Sequence, residues 1–461
     1  MVRIGWSLAC GSWLLFGFSG TRRKIVYFVC GFGHEINYFS TLNTECGTVF
    51  DMINFCFGMM SGNFLGVLVE WCAGMKFGLE RCGMKFAHVA DLHIGKRVHD
   101  FSMLEDQRYI LDQMLGIFVE QKVDGVLIAG DVYDKTVPSA EAVQLFDDFI
   151  TRLAKKRIPV YMISGNHDSA ERLSFGAKLF ENSDIFISQV YDGEMKRIAL
   201  EDQYGPVYVY LLPFLKPATV RHALQRDDIN TYEEGVVAAL QECKIDTAQR
   251  NVLVAHQFVT GAGRSDSEEV SVGGLDNVDG EVFEDFDYVA LGHIHRPQIV
   301  GRETLRYSGT PLKYSFSEVD HNKSVTIVEL RKKGNVEIST VPLVPRRDMR
   351  KIRGTYMEVT AKESYTTENR MDYLHITLTD EEDVPGALQK LRTVYPNLMR
   401  LEYDNKRTRE NREVQAVEAQ EQKSELELFG EFYELLNNEP MKEEQTEFVE
   451  KLIQDLKEAR V

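Results

Sequence analysis

The strongest constraint on the fold of this 461-residue chain is a repeated pairing of a short apolar run with a cluster of metal-ligand side chains. The five runs are rich in β-branched and aromatic residues, which is typical of buried strands. Polar residues at the carboxyl ends of strands meet at one edge of an open α/β sheet. We therefore predict one site built from five segments. The runs are residues 86–90, 126–129, 160–163, 252–255 and 288–291, and the clusters are Asp91-Leu92-His93, Gly130-Asp131, Gly165-Asn166-His167-Asp168, Ala255-His256 and Gly292-His293-Ile294-His295.

These clusters contain the ligand types that a pair of divalent metal ions requires. Carboxylate oxygens hold and bridge such ions, and imidazoles complete each coordination shell. Two ions about 3.5–4 Å apart stabilise the attacking and leaving oxygens of a phosphoryl displacement and lower the pKa of a bound water. Asp131, which follows a glycine at a strand end, is the predicted bridging carboxylate. His167 is predicted to protonate the leaving group, and Asp168 to fix its tautomer and raise its basicity.

The order Asp-x-His, Gly-Asp, Gly-Asn-His-Asp, His and Gly-His-x-His resembles the signature of the calcineurin-like metallophosphoesterases. Within that superfamily the chain resembles the SbcD family, the nuclease subunits of bacterial SbcCD complexes. The resemblance extends from Met84 to near the C-terminus. The segments that carry it are residues 91–95, 130–134, 255–258 and 307–314.

The resemblance implies a fold, a cofactor and a ligand set. The fold is an α/β metallophosphoesterase sandwich, with two sheets flanked by helices, followed by a small α+β capping domain and a helical C-terminal tail. The cofactor is a pair of divalent metal ions, usually Mn²⁺, with Mg²⁺ as the alternative. One ion would be held by Asp91, His93, Asp131 and His295, and the other by Asp131, Asn166, His256 and His293.

The resemblance also implies a two-metal phosphodiester hydrolase that acts on DNA in repair, recombination and replication. The activities would be a 3′–5′ exonuclease on double strands and an endonuclease on hairpins and single strands. An SbcC-like ATPase partner, a homodimer through helices of the catalytic domain and a cytoplasmic, nucleoid-associated location are implied in the same way.

Two other functions use the same residues. A phosphodiesterase for a small cyclic nucleotide or a similar diester is the main alternative, and a binding module with a relict metal site is the third. The intact ligand set argues against the relict site. A capping domain and paired tail helices argue against the small-molecule enzyme, which needs neither.

Two departures from related proteins affect the expected mechanism. Archaeal and eukaryotic relatives carry a second histidine three residues after the bridging aspartate, where this chain has Asp134. We therefore expect the mechanism to depend on His167 alone. The Ser/Thr phosphatases of the superfamily have Gly-Asn-His-Glu, and Arg-Gly after the second motif. This chain has Gly-Asn-His-Asp and Asp134-Lys135, which disfavours a phosphoprotein substrate.

The charge of the chain is not that of an independent DNA-binding protein. The formal net charge is −18, of which −13 lies on residues 84–405. DNA binding usually needs clustered basic side chains. We therefore expect a partner to supply much of the DNA affinity. Lys96, Arg97 and His99 follow the first motif and are candidates for contact with a phosphate backbone, although a solvated loop is equally compatible.

Residues 1–83 differ in composition from the rest of the chain. They hold six of the seven cysteines and all three tryptophans but none of the twelve prolines. We expect residues 1–83 to be a doubtful N-terminal extension that results from a start codon assigned too early, because Met84 leads directly into the first strand. A signal peptide is the alternative, but charged residues 21–24 stand where a small-residue cleavage site is expected. No apolar stretch reaches about 18 residues, so we expect no membrane span.

The remaining pattern predicts the domain layout. Helical patterns at 103–121 and 139–156 alternate with strands, which indicates a layered α/β domain over residues 84–345. Apolar runs at 304–307, 324–329 and 336–341 predict a second sheet of that domain. Residues 346–405 form the predicted capping domain, in which residues 356–403 have the pattern strand, strand, helix, strand.

Residues 406–461 are predicted to be a polar linker followed by two amphipathic helices. Ser424 and Glu427 form a predicted capping box for the first helix. The apolar faces would either pack against each other or dock on a partner, and the SbcD resemblance favours the partner. The predicted contact residues are Leu428, Phe429, Phe432, Tyr433, Phe448, Leu452 and Leu456.

Overall fold

The structure is a computed structural model that describes residues 83–406 apart from 267, 269–276 and 368. It also describes residues 408, 429, 430, 433, 441, 442, 445, 446, 448, 449 and 452, and the backbone of five N-terminal strands. The chain forms two compact units, Met1–Glu80 and Arg81–Val461.

The N-terminal unit contains a small antiparallel sheet. Its central strand, Ile25–Phe32, pairs with the strand that precedes it in the sequence and with the two short strands that follow it. Its strands are β1 (Val2–Leu8), β2 (Ser12–Ser19), β3 (Ile25–Phe32), β4 (Glu35–Tyr38) and β5 (Leu42–Asn43).

The first sheet of the larger unit has six strands in the order β11-β10-β9-β6-β20-β21. The strands β11, β10, β9 and β6 are parallel to one another. Strand β20 pairs with β6 in the antiparallel direction, and β21 pairs with β20 in the same way. The strands are β6 (Met84–Val89), β9 (Gly125–Ala129), β10 (Val160–Ile163), β11 (Ile185–Ile187), β20 (Ser324–Leu330) and β21 (Val336–Pro342).

The second sheet also has six strands, in the order β12-β13-β14-β17-β19-β18. Its four central strands are parallel, and both edge strands are antiparallel to their neighbours. The strands are β12 (Lys196–Asp202), β13 (Gly205–Leu212), β14 (Arg250–His256), β17 (Tyr288–Gly292), β18 (Gln298–Val300) and β19 (Arg302–Tyr307).

The two sheets pack face to face, and helices cover their outer faces. Alternation along β9 shows the arrangement: Leu127 and Ala129 lie in the core between the sheets, whereas Val126 and Ile128 pack under the helices. The helices are α1 (Leu104–Glu120), α2 (Ala140–Lys155), α3 (Ala170–Leu173), α4 (Ala177–Phe180), α5 (Pro217–Leu224) and α6 (Tyr232–Glu242). Two short ribbons are β7 (Arg97–Val98) with β8 (Phe101–Ser102), and β15 (Phe258–Val259) with β16 (Asn277–Val278).

The helix boundaries follow local capping chemistry. Ser139 is the N-cap of α2 and accepts a hydrogen bond from the backbone of Ala142. Thr231 and Glu234 form a full capping box at α6. Pro138 lies one residue before this cap and outside the helix.

The prediction of one second sheet from the three late runs is wrong. The run at 304–307 forms β19 in the second sheet, but the runs at 324–329 and 336–341 form β20 and β21 in the first sheet. The reason is that β6 has a free edge, and β20 pairs with it from Thr326–His88 to Leu330–Met84. Apolar content marks a run as a strand without indicating which edge it joins.

A third sheet of three parallel strands follows. It comprises β22 (Met349–Gly354), β23 (Tyr373–Leu378) and β24 (Leu398–Tyr403), with α7 (Tyr356–Thr360) and α8 (Ala387–Val394). The prediction of two strands at the start of residues 356–403 is wrong, because the first element there is α7. Thr355 and Glu358 form a capping box that begins this helix.

An ion pair joins this third sheet to the sandwich of the first two sheets. Arg347 donates two hydrogen bonds to the fully buried carboxylate of Asp106 on α1, with N···O distances of 2.9 and 2.6 Å. The hydroxyl of Tyr373 on β23 donates to the same carboxylate at 2.7 Å. Within the described part of the chain, no helix combines the length and apolar character needed to cross a bilayer.

Candidate metal centre

All five predicted clusters lie at the carboxyl ends of strands, at one edge of the two sheets. The backbone there is unusual, because Asp91, His93, Asp131 and His293 have φ angles of 52°, 44°, 48° and 100°. Non-glycine residues seldom adopt this left-handed region, and such conformations concentrate at functional sites. Neighbouring turns hold them in place: the backbone N–H groups of Asp91 and His93 donate to the carbonyls of Gly130 and Asp131.

Two glycines permit the close approach of these segments. A Cβ at Gly165 would lie 2.1 Å from Asp131 Oδ1, and a Cβ at Gly292 would lie 1.8 Å from the carbonyl oxygen of Ala129. Neither position has room for a side chain. The strand ends of the two sheets can therefore converge only because these positions are glycine.

The first group of ligand atoms surrounds His93. Its Nε2 lies 3.1 Å from Nε2 of His295 and 3.8 Å from Oδ2 of Asp131. Oδ2 of Asp91 and Nδ1 of His93 are buried and have no hydrogen-bond partner among the described residues. Two imidazole nitrogens that face each other at 3.1 Å, near the Asp131 carboxylate, are an arrangement that a shared cation would satisfy.

The second group surrounds the side-chain oxygen of Asn166. Oδ1 of Asn166 lies 2.9 Å from Nε2 of His256 and 3.0 Å from Nδ1 of His293. Nε2 of His256 lies 3.3 Å from Oδ2 of Asp131. The carboxylate of Asp131 therefore stands between the two groups, where a bridging ligand is needed.

Oxygen acceptors orient two of the imidazoles through contacts with their Nδ1 atoms. Nδ1 of His256 lies 2.8 Å from the carbonyl oxygen of Ala129, and Nδ1 of His295 lies 3.2 Å from Oε1 of Glu318. A proton on each Nδ1 satisfies these oxygens and leaves Nε2 free to bind a cation. The donor set and its orientation thus fit a pair of divalent metal ions.

The buried carboxylate of Asp131 dominates the electrostatics. Burial by itself raises the pKa of a carboxyl group, but attraction to His256 and His93 holds the pKa of Asp131 well below its ordinary value. Burial opposes protonation of His256, yet the Asp131 carboxylate raises its pKa to about 9. Burial and repulsion from His256 lower the pKa of His293 to about 3, so its imidazole is neutral.

The prediction that Asp168 orients His167 is wrong. Both carboxylate oxygens of Asp168 accept hydrogen bonds from backbone N–H groups, those of Val132, Tyr133 and Gly165, at 2.9–3.1 Å. Asp168 is thereby committed to holding the two site loops together. These backbone donors, two of which lie on the loop after β9, are its partners in place of the adjacent imidazole.

The carbonyl of Asp134 takes the orienting role instead. It lies 3.0 Å from Nδ1 of His167, and Nε2 of the same ring lies 4.0 Å from Oδ2 of Asp131. The backbone N–H of His167 donates to Oδ1 of Asp131 at 2.9 Å. The His167 ring is therefore fixed beside the metal cluster with Nε2 directed toward it.

The three residues predicted to contact DNA lie on the loop beside this cluster. Nζ of Lys96 donates to Oδ1 of Asp134 at 2.7 Å. The Arg97 guanidinium donates to the carbonyl of Asp100. The His99 ring lies 5.6 Å from the ring of Phe316. Lys96 is thus already paired with a carboxylate, and contact with a phosphate would compete with that pair.

Sequence reasoning missed a buried network behind His295. Glu318 is fully buried and pairs with Lys323, whose Nζ also donates to the carbonyl of His295 and to Thr310. Glu268 accepts from the backbone N–H of His295 at 2.7 Å. No motif marks these residues, and the only signal was that Thr310 lies within the segment 307–314 that carries the SbcD resemblance.

Most of the described tail residues are helical. Phe429, Phe448 and Leu452 are 42%, 69% and 48% exposed. The side chain of Gln445 donates to the hydroxyl of Tyr433 at 2.9 Å, so the two tail segments touch. The other predicted tail residues, Leu428, Phe432 and Leu456 and the capping pair Ser424 and Glu427, lie outside the described residues.

Comparisons with known proteins identify the family. The calcineurin-like phosphoesterase family matches residues 84–297, and the type 5 capsule protein repressor C-terminal domain (SbcD_C) matches residues 345–436. The SbcD subunit of the SbcCD nuclease of Staphylococcus epidermidis is 35% identical over 322 residues, which cover 69% of this chain and 85% of that protein. The chain belongs to the SbcD family. The predicted SbcD resemblance and the metallophosphoesterase fold class are confirmed.

Two solved structures are also similar to this SbcD family member. A dimetal phosphatase from Danio rerio is 12% identical with a TM-score of 0.34, and the match covers 57% of this chain and 99% of that one. The protein TT1561 of Thermus thermophilus is 12% identical with a TM-score of 0.33, and the match covers 56% of this chain and 99% of that one.

Proposed function

We propose that this chain is the metal-dependent nuclease subunit of an SbcCD-type complex and hydrolyses phosphodiester bonds of DNA. The observation that carries the proposal is the shared position of Asp131. Its carboxylate lies within 4.8 Å of ligand atoms of His93 and His167, and also within 4.8 Å of ligand atoms of Asp91 and His256. A carboxylate common to two groups suits two metal ions, and the SbcD family membership indicates a nuclease.

The metal ligands divide into two sets that share this carboxylate. When bound, the two ions supply a hydroxide near neutral pH and neutralise charge on the phosphate, and Mn²⁺ is the proposed ion in preference to Mg²⁺. The 3.1 Å approach of Nε2 of His93 to Nε2 of His295 supports the first set, and the convergence of His256 and His293 on Asn166 supports the second. The sets are Asp91, His93, Asp131 and His295, and Asp131, Asn166, His256 and His293.

His167 is the proposed proton donor to the leaving oxygen. The Asp134 carbonyl holds Nδ1 and leaves Nε2 directed at the cluster, the only ring atom in position to transfer a proton. The role of Asp168 is to fix the loop that carries Asn166 and His167 through its three backbone hydrogen bonds.

The position of the third sheet favours a long substrate such as DNA over a small diester. Phe316 lies between the His99 ring at 5.6 Å and the His375 ring of β23 at 5.3 Å. The capping domain, residues 346–405 in our proposed division, therefore adjoins the loop that follows the first ligand motif of the domain at 84–345. We assign the 3′–5′ exonuclease activity on duplexes and the endonuclease activity on hairpins and single strands to the face of the protein where the capping domain adjoins this loop.

The remaining surfaces fit protein partners. The exposed apolar residues of the tail, including Phe448 and Leu452, are the proposed docking face for an SbcC-like ATPase in the cytoplasm. Phe175, Leu179 and Phe180 around α3 and α4 are 83%, 73% and 45% exposed and form the proposed homodimer contact. Apolar patches of this kind on a water-facing surface are typical of interaction sites.

The experiment is Mn²⁺-dependent cleavage of a linear duplex with one hairpin end. The full chain is assayed with and without its SbcC-like ATPase and ATP, with Asp131→Asn as the control. We expect cleavage that requires Mn²⁺ and Asp131 and increases with the partner. Turnover of a small cyclic or aryl phosphodiester without DNA cleavage in any arm would instead establish the small-molecule phosphodiesterase.

A further inference from the structure

A polar cleft of about 410 Å³ opens beside the candidate ligand Asn166. Its lining includes Thr136 and Val137 from the loop after β9, and Phe214 and Lys216 from the segment after β13. Its volume lies in the range of small-ligand pockets, about 300–1,000 Å³. None of the seven proposed metal ligands except Asn166 lines it, so most of the cleft is unused by the metal centre.

Phe214 stands between this cleft and the metal cluster. Its ring is nearly parallel to that of His293, with an interplanar angle of 16° and a centroid distance of 6.4 Å, and is edge-on to His256 at 6.1 Å. Its backbone N–H donates to the carbonyl of Ser164 at 2.9 Å, which fixes the position of the segment. The side chain is only partly buried. An aromatic ring thus lines a polar cleft directly beside the ligands.

Basic and hydroxyl side chains complete the cleft. Lys216 and Arg172 are exposed, and neither forms a salt bridge with any residue in the described ranges. Glu171, the exposed acid of the lining, is engaged with the hydroxyl of Ser169 at 2.8 Å. The lining thus holds two acidic side chains, Asp168 and Glu171, and two basic ones, and the basic pair, Lys216 and Arg172, is free of ion pairs with the described residues.

We propose that this cleft binds the nucleotide adjacent to the scissile phosphate, with its base stacked on Phe214 and its phosphates near Lys216 and Arg172. An aromatic face with unpaired cations is how proteins hold unpaired nucleotides without reading their sequence. This inference rests on the proposed nuclease function. The cleft would receive a base that has left the helical stack at a frayed end or a hairpin, where unstacking is least costly.

The test is a double-mutant cycle in which one change is a substitution in the protein and the other is a modification of the DNA substrate. Cleavage positions are first mapped on an unmodified duplex, and an abasic nucleotide is then placed on either side of the mapped bond. Phe214→Leu, which keeps apolar volume but lacks an aromatic face, is compared with the wild type on both substrates. Phe214→Trp is the rescue variant. Tyr204→Leu, at an exposed aromatic one residue before the start of β13, is the matched control.

We expect Phe214→Leu to lower kcat/KM about tenfold on base-bearing DNA, because loss of a stacking partner has an effect of this size. The abasic nucleotide should lower wild-type kcat/KM by a similar factor, and the two changes together should cost no more than either. Phe214→Trp and Tyr204→Leu should cleave like the wild type. Lys216→Gln should weaken both substrates equally and reduce the salt dependence of binding.

Effects of Phe214→Leu and the abasic nucleotide that multiply would overturn the inference. So would a Phe214→Leu variant with wild-type kcat/KM, or one that loses Mn²⁺ binding by calorimetry, since Phe214 would then act through His293. Quenching of 2-aminopurine deoxynucleoside monophosphate by wild type but not by Phe214→Leu is a second readout that needs no cleavage. If wild type quenches the probe but cleaves no DNA, the nuclease proposal fails and the nucleotide cleft stands; if neither occurs, both fail.

Discussion

Nζ of Lys323 lies 2.5 Å from Oε2 of Glu318, and both side chains are almost completely buried. The other carboxylate oxygen of Glu318 contacts Nδ1 of His295 at 3.2 Å, and Lys323 donates to the carbonyl of His295 at 2.9 Å. One buried ion pair thus holds both the ring and the backbone of a proposed metal ligand. Buried ion pairs are retained without penalty only when their remaining hydrogen bonds are made, and here Thr310 accepts another at 2.6 Å.

We predict that Glu318→Gln weakens Mn²⁺ binding about 10- to 100-fold, because His295 loses an anionic acceptor. The same change should destabilise the fold by about 3–5 kcal/mol, since Lys323 remains buried without a counter-charge. Calorimetric titration with Mn²⁺ and thermal unfolding measure the two effects separately.

The double variant Glu318→Gln with Lys323→Met separates the fold from the metal site. Removing both charges should recover most of the lost stability, because no unpaired ion remains. Metal binding should stay weak, because the acceptor for His295 is still neutral. Recovery of wild-type metal affinity in the double variant would contradict the orienting role of Glu318.

His167→Ala is expected to lower kcat by about 10²–10⁴-fold with the metal content and the midpoint of unfolding unchanged. Its side chain contacts the Asp134 carbonyl but supports no other backbone segment that the structure describes. Cleavage rate, metal content and thermal unfolding are measured on the same preparation. A variant that cleaves at the wild-type rate would rule out the proton-donor role.

Asp168→Ala should have the opposite profile. Its carboxylate accepts three backbone N–H groups from two loops, so its loss leaves buried donors unsatisfied. Each unsatisfied group costs about 1–3 kcal/mol, and we expect a clear fall in the midpoint of unfolding. An undiminished midpoint with a loss of turnover only would restore the predicted catalytic role of Asp168.

The ion pair of Asp202 with Arg250 should make stability depend on acid pH. The two side chains are 2% and 4% exposed, and the guanidinium donates to both carboxylate oxygens, at 2.5 and 3.0 Å. Burial raises the pKa of Asp202, but the hydrogen bonds from Arg250 outweigh it and lower the pKa below its ordinary value. The stabilisation is therefore complete above the unfolded-state pKa, about 3.9, and is lost as pH falls below it.

Asp202→Asn is expected to lower the free energy of unfolding by about 3–5 kcal/mol at pH 7, and this deficit should shrink as pH falls below about 3.9, by at most about 1.4 kcal/mol per pH unit. Unfolding in urea at several pH values measures this difference. Asp227→Asn is the control, because Asp227 is exposed and lies in the loop between α5 and α6. Its free energy of unfolding should match that of the wild type at every pH. An Asp202→Asn deficit that is constant with pH would show that the carboxylate charge is not responsible.

The tail prediction concerns two exposed apolar side chains. Phe448→Glu with Leu452→Glu should reduce binding to the SbcC-like ATPase at least tenfold, because both side chains face solvent in the isolated chain. Hydrolysis of a small diester should be unaffected. Met357→Glu, at an equally exposed apolar position on α7, controls for added charge, and equal loss of binding in both variants would refute the proposed docking face.

The strands and ligand types were predictable because each is encoded locally. Runs such as 126–129 and 160–163 became β9 and β10 with at most one residue of difference, since short β-branched runs have few alternatives to a buried strand. The ligands followed these runs directly, so the topology of an α/β sheet alone brought them to one edge.

The partners of those ligands depend on contacts between distant parts of the chain, and only the tertiary structure decided them. Glu318 reaches His295 from a turn 23 residues away, and His167 is oriented by a carbonyl 33 residues away, not by the adjacent Asp168. Local sequence determines which residues form strands and which can bind a metal. Packing of the two sheets determines which hydrogen-bond acceptors stand behind each ligand, because those distances are set by strand order and by the space that neighbouring side chains leave.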